Sequence, residues 1–191
     1  DPTQADGQFA DRGSQYRTAI FYLSPEQKTL AERSKGSLAK SERFVAPLVT
    51  TLRRAELSDL KALMSLELSC FDPARRSDAR ALKRSFTSER QLVIVACSGA
   101  ELLGAMTLWR HPKRLRLYSI AVAPLARERG VGAALMRRFI EEGRQRGIAR
   151  LTLEMEASDE RLRRWYERWG FAFDELKVGY YGEGRDALHL T

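Results

Sequence analysis

Three short stretches of this 191-residue chain could do chemistry. The first is the turn Arg127-Glu128-Arg129-Gly130-Val131-Gly132, which follows the β-forming run Arg114–Val122 and opens directly into a helical pattern. A strand feeding such a turn leaves backbone N–H groups unpaired and aligned, and the helix dipole adds partial positive charge, so the turn attracts anions. Gly130 and Gly132 lack a Cβ and let backbone approach a pyrophosphate, while Arg127 and Arg129 could add charge-assisted hydrogen bonds. Taken alone, the glycines serve equally well as a tight turn before a surface helix. The spacing is neither Gly-x-Gly-x-x-Gly nor a loop ending in Lys-Ser/Thr, so neither a dinucleotide fold nor a Walker-type loop is indicated.

The other two stretches carry a carboxylate and a phenol. In the strand-like run Ala149–Met155, Leu151, Leu153 and Met155 share one face, and Thr152 and Glu154 the other. Glu154 is either a solvated strand residue or a base, and Glu156 faces the same way. Further on, Leu162, Trp165, Tyr166 and Trp169 fall at i, i+3, i+4 and i+7, which puts Tyr166 on a buried helical stripe. Its phenol is either a satisfied core group or a proton donor.

Other residue types narrow the field. Cys70 and Cys97 have no metal or redox spacing and read as small apolar residues in a reducing cytoplasm. His111 and His189 read as surface or strand residues, and no His/Asp/Glu cluster suggests a metal. No apolar run approaches the ~20 residues of a membrane span, and nothing resembles a signal peptide. The first residue is Asp1 rather than Met, which suggests a processed chain or a piece of a longer one. Net charge is +8, of which residues 51–191 hold +7, an excess that suits an anionic ligand. Aromatics are not interleaved with the basic residues, so direct nucleic-acid binding is not expected. The arginines at 137, 138, 161, 163, 164 and 168 read as solvated helix faces.

The elements that must position these groups follow from periodicity and punctuation. A strand at Thr51–Arg54 precedes helices at Asp59–Cys70 and Ala79–Phe86. Strands at Gln91–Cys97 and Leu102–Trp109 form a hairpin through Ser98-Gly99-Ala100, and Arg114–Val122 is a third strand. A loop at Pro124–Gly130, a helix at Val131–Gly147, the strand Ala149–Met155 and a helix at Asp159–Trp169 come next. Strands near Phe171–Val178 and Ala187–Leu190 close the chain. The order β-α-α-β-β-β-α-β-α-β-β implies an α/β (α+β) fold with a strand–loop–helix–strand unit at its centre.

SIAVAPLARERGVGAALM carries an Arg/Gln-x-x-Gly-x-Gly/Ala pattern after an IAV-type strand, and so resembles the coenzyme-A pyrophosphate motif of the GNAT N-acetyltransferase superfamily. LTLEMEASDERLRRWYERWGF and the ending GYYGEGRDALHL resemble the ribosomal-protein alanine N-acetyltransferase branch over residues 51–191. The resemblance implies a mixed twisted sheet that opens to admit acetyl-coenzyme A. It also implies Glu154 as base and Tyr166 as acid. The coenzyme would lie against Ser119, Ile120, Ala121 and Val122 and the turn Arg127, Glu128, Arg129, Gly130, Val131, Gly132 and Ala133. Asp159 stands where that branch usually has Asn, and an ionised Asp cannot donate to the pantetheine arm, though it caps a helix well. The implied acceptor is a protein N-terminal α-amine, with a ribosomal protein as one such partner. An α-amine, with a pKa of about 7.7–8.0, costs roughly 1 kcal/mol to deprotonate at neutral pH, against ~4.6 for a lysine. A lysine or small-molecule amine, a coenzyme-binding module without turnover, and a defective fusion product are the alternatives.

Residues 1–50 are worded differently. DPTQADGQFADRGSQYRTAIF, a helix signal at Ser24-Pro25-Glu26-Gln27, and RFVAPLVT resemble the later part of A-type peptide-methionine sulfoxide reductases. Asp11 and Tyr16 match pocket positions of that family, but its Gly-Cys-Phe-Trp nucleophile motif does not occur here, and without a thiolate there is no attack on sulfur. Residues 1–50 are therefore expected to be a truncated, non-functional segment joined to an acetyltransferase domain at 51–191.

Overall fold

The computed structural model describes residues 49–191; the helix signalled at Ser24-Pro25-Glu26-Gln27 lies outside the described residues. Strands β1 (Thr51–Arg54), β2 (Gln91–Ser98), β3 (Glu101–Arg110), β4 (Arg114–Val122), β5 (Arg150–Glu156), β6 (Phe173–Lys177) and β7 (Ala187–Leu190) form one sheet in the order β1-β2-β3-β4-β5-β7-β6. Every neighbouring pair is antiparallel except β4 and β5, which run parallel across a helical crossover. The helices are α1 (Leu60–Cys70), α2 (Ala79–Thr87), α3 (Val131–Gln145) and α4 (Glu160–Glu167). This is the GNAT architecture that the motifs imply. Among the described residues the expected strands and helices are present, with ends shifted by two residues at most. The insertion of β7 between β5 and β6 is the feature that periodicity does not carry.

The sheet has a core on each face. On one, Leu115, Leu117, Ile120, Val122, Leu153 and Met155 pack under Leu135, Met136 and Phe139 of α3 and Leu162 and Tyr166 of α4. On the other, Val93, Val95, Ala105 and Ala121 pack under Leu63 and Leu66 of α1 and Leu82 of α2. Large side chains buried this fully each stabilise the fold by roughly 1.5–3 kcal/mol. β2 is buried along both faces, which is why QLVIVAC reads as an unbroken apolar run and not as an alternation. Gly104 of β3 lies where a Cβ would come within 2.8 Å of the Ala121 carbonyl and 3.1 Å of Val131, so only glycine lets the start of α3 press against the sheet.

Two irregularities shape the centre. Between β3 and β4 the register passes from Thr107↔Ser119 to Leu108↔Leu117, leaving Tyr118 as an extra residue on β4. This bulge shifts the phase of the strand: Leu115 and Leu117 face α3 before it, Ile120 and Val122 after it. The second is a split. β4 pairs with β5 only over Arg114–Leu117 and Arg150–Leu153, so beyond Leu117 the β5-facing edge of β4 is open.

Candidate active site

The open edge of β4 runs into the glycine turn. Pro124–Ala126 forms a single 3₁₀ turn, and the chain then takes positive φ at Glu128 (61°) and Gly130 (87°) before α3 begins. Gly130 is the residue before the helix, and its carbonyl accepts the Ala134 amide at 2.9 Å. The amides of Val131, Gly132 and Ala133 precede that first intrahelical bond and face the turn, with the dipole of a 15-residue helix behind them. The turn, Val122 and α4 enclose a cavity of about 340 Å³.

Of the residues that the resemblance assigns to the coenzyme turn, Arg127, Glu128, Gly130, Gly132 and Ala133 line this cavity. Arg129 does not; it lines a separate groove with Leu125 and the α1 residues Ala62, Ser65 and Leu66. The Val131 side chain is buried in the core, leaving only its backbone at the turn. Arg127 reaches back to donate to the Val122 carbonyl at 3.2 Å. The opposite wall is Arg161, Arg164, Trp165 and Arg168, of which the sequence reading assigned the arginines to solvent. Their spacing was a usable signal: 161, 164 and 168 form one helical stripe beside the buried Leu162 and Tyr166, with the partly buried Trp165 at the border of the two. Arg161 pairs with Glu128 at 2.7 Å, and Arg164 and Arg168 have no ion-pair partner among the described residues.

Tyr166 is fully buried, in edge contact with Trp165 and Phe171, and its hydroxyl has no hydrogen-bond partner among the described residues. Burial, reinforced by Tyr181 and by the charge of Asp159, holds its pKa well above that of a free tyrosine, so the phenol keeps its proton. A buried hydroxyl without a partner costs on the order of 1–3 kcal/mol, a cost that a ligand atom reaching it would relieve. Asp159 caps α4, its Oδ1 accepting the Leu162 amide at 2.9 Å.

Glu154 lies on the opposite face of β5, one residue past the last rung with β4. It is 5% exposed and is held by three groups: Arg116 Nε at 2.7 Å, Lys177 Nζ at 3.1 Å and His189 Nδ1 at 3.1 Å. Burial alone would raise its pKa, but the His189 hydrogen bond and the charges of Arg116 and Lys177 outweigh burial and bring it down to about 2. Glu156 is likewise occupied, by Arg75 at 3.0 Å and Arg185 at 3.0 Å. His189, read from sequence as carrying no chemistry, sits on β7 directly opposite Glu154. Only the cross-strand register reveals that pairing. Both cysteines are buried with raised pKa, burial being the main cause, and the Cys70 thiol donates to the Val122 carbonyl.

Comparison with known proteins agrees with this geometry. The model of the Acetyltransferase (GNAT) family matches residues 60–171, and that of Peptide methionine sulfoxide reductase matches residues 1–58. The ribosomal-protein-S18-alanine N-acetyltransferase from Escherichia coli superposes with a TM-score of 0.66 at 25% identity, covering 74% of this chain and 92% of that one. Arabidopsis thaliana NAA60, in a structure with acetyl-CoA, superposes with a TM-score of 0.65 at 17% identity, covering 74% and 97%. The peptide methionine sulfoxide reductase MsrA of Halalkalibacterium halodurans is 62% identical over 52 residues, 27% of this chain and 30% of that protein. MsrA of Streptococcus pyogenes is 42% identical over 89 residues, 47% and 53% of the two chains. The chain thus spans about a third to a half of the length of the curated relatives it matches. With a cavity at the start of α3, a split beside it, and a family model covering more than half its length, the chain belongs to the GNAT acetyltransferase family.

Proposed function

We propose that this chain transfers an acetyl group from acetyl-coenzyme A to a primary amine, a protein N-terminal α-amine being the preferred acceptor. The observation that carries the reading is the buried, unpartnered hydroxyl of Tyr166, whose side chain shares a core with Ile120 and Val122 of the open stretch of β4. The amides of Val131, Gly132 and Ala133, with Arg127, would hold the diphosphate, and the free edge at Ser119–Val122 would pair with the pantetheine arm. Glu128 and Gly130 shape the turn, Arg129 contributes through its backbone, and Asp159 orients α4 and thereby Tyr166.

The acceptor nitrogen attacks the thioester carbonyl, forming the C–N bond. As the C–S bond breaks, the departing sulfur takes the Tyr166 proton, which solvent replaces. A carboxylate near pKa 2 is a weak base toward a free ammonium. Glu154 therefore holds the amine and receives its proton after attack, directly or through water, when the nitrogen of the adduct is more acidic. This division of labour suits an α-amine, already partly neutral near pH 8, better than a lysine. No acyl-enzyme is involved, because both thiols are buried and protonated.

We also propose that residues 1–50 add no reductase chemistry. Neither Cys70 nor Cys97 lies in that segment, and neither is exposed. Thiol release from acetyl-coenzyme A with N-terminal peptides, lysine peptides and small amines tests the transferase reading. Loss of release in Glu154→Gln and Tyr166→Phe supports the base and acid roles of these two residues; rates equal to wild type in both would refute them.

A further inference from the structure

Beyond the cavity at the start of α3, a second cavity of about 280 Å³ opens on the α1–α2 face, and Glu154 lies in its wall. Its charge is lopsided. Arg114, Arg116 and Lys177 line it with one carboxylate, Glu154. Asp174 reaches His189 Nε2 at 3.7 Å but is engaged by Arg150 at 3.1 Å. Glu154 already serves Arg116 and Lys177, and Arg114 is exposed with no ion-pair partner among the described residues. The wall also holds the Thr152 hydroxyl, which is 1% exposed and has no hydrogen-bond partner among the described residues. The positive field is felt nearby: burial first, then Arg114, Arg116 and Arg90, hold the His111 pKa below that of a free histidine. Trp109 and Tyr118 are shared with a neighbouring groove under α2, so the cavity adjoins a surface from which an acceptor could approach Glu154.

A bare ammonium entering this cavity meets two more cations than anions and is disfavoured. An amine accompanied by its own anion is not. We infer that the acceptor carries a carboxylate close to its reactive amine, bound by Arg114 and Lys177 with the Thr152 hydroxyl as a further partner, while the amine faces Glu154. The inference rests on the transferase reading and narrows its acceptor to acidic amines. Two sources supply that chemistry: an acidic side chain beside a peptide N-terminus, or the α-carboxylate of a free amino acid.

The test uses the full chain with acetyl-coenzyme A and C-terminally amidated Ala-Asp-, Ala-Asn- and Ala-Lys- tetrapeptides, together with free alanine and free aspartate. The Asp peptide should exceed the Asn peptide by about tenfold in kcat/KM, about 1.4 kcal/mol, with the Lys peptide lower still. Added salt should narrow the gap. Arg114→Gln, a change at an exposed side chain, should reduce the Asp-to-Asn ratio to within about twofold. Free aspartate or alanine matching the Asp peptide would place the anion on the α-carboxylate; failure of both would place it on the side chain. Equal rates for Asp and Asn peptides with free alanine and aspartate no faster, or preference for Lys, would overturn the inference and leave the transferase reading intact. If no amine released thiol, the transferase reading would fail instead. Calorimetry of the same peptides on coenzyme-A-loaded protein would then decide the point alone, equal or absent heats counting against it.

Discussion

The two faces of the central split both carry excess positive charge, but they hold their carboxylates differently. On the α3–α4 face, Arg127, Arg161, Arg164 and Arg168 meet a single glutamate, Glu128, and the helix start adds its own amides and dipole. Beside them a buried phenol lacks a partner. On the α1–α2 face both carboxylates of β5 are fully engaged, Glu154 by three groups and Glu156 by two arginines. Unmatched charge and an orphaned hydroxyl mark a surface completed by a ligand. A saturated carboxylate marks a group fixed in place before any ligand arrives. The first face has only the binding features, whereas the second joins excess charge and the unpartnered Thr152 hydroxyl to a carboxylate that is already oriented.

The sharpest way to break this contrast is Tyr166→Phe. Because the hydroxyl has no partner among the described residues, its removal should leave the unfolding midpoint unchanged or raise the stability by up to about 1 kcal/mol. Turnover should nonetheless fall by about 10²- to 10³-fold, with KM for acetyl-coenzyme A little changed. A lowered melting temperature together with full activity would mean the phenol is structural.

Glu154→Gln should behave in the reverse sense. It removes the anion that Arg116 and Lys177 share, so stability should drop by on the order of 3 kcal/mol in urea titration. The sign of its pH dependence follows from linkage. The folded pKa of about 2 lies below the ordinary value of 4.5, so the stabilisation is present above pH 4.5 and is lost as pH falls toward 2. The gap between wild type and variant should therefore be constant near neutrality and close on acidification. A gap independent of pH would show that the cluster does not hold the carboxylate as described.

Gly130→Ala tests the binding face with a smaller effect. No atom lies within 4 Å of the added Cβ, so the cost is that of φ 87° alone, about 1 kcal/mol. Coenzyme binding, measured by calorimetry, should weaken several-fold as the turn relaxes.

These two faces were unequally legible in the sequence. The binding turn is local: strand, glycine and helix start fall within about twenty residues, so composition and spacing carry it. The apolar stripe of α4 likewise placed Tyr166 in the core. The surroundings of Glu154 are not local. Arg116 is 38 residues away, Lys177 23 and His189 35; the β4–β5 pairing brings the first, and the insertion of β7 between β5 and β6 brings the other two. A one-residue change in that register would turn His189 to the other face. The α4 arginines illustrate a third case, where the stripe was visible but the helix it faced was not.

The limited pairing of β4 with β5 has a mechanical consequence. Four rungs tie β5, β7 and β6 to the rest of the sheet, and past them the two halves of the molecule are joined through helices rather than through backbone ladders. A long ligand lying in that gap would act as a clasp between half-sheets. Protection of the Ser119–Val122 amides against solvent exchange should then track occupancy, making the seam both the weakest part of the empty protein and the part most strengthened when it is filled.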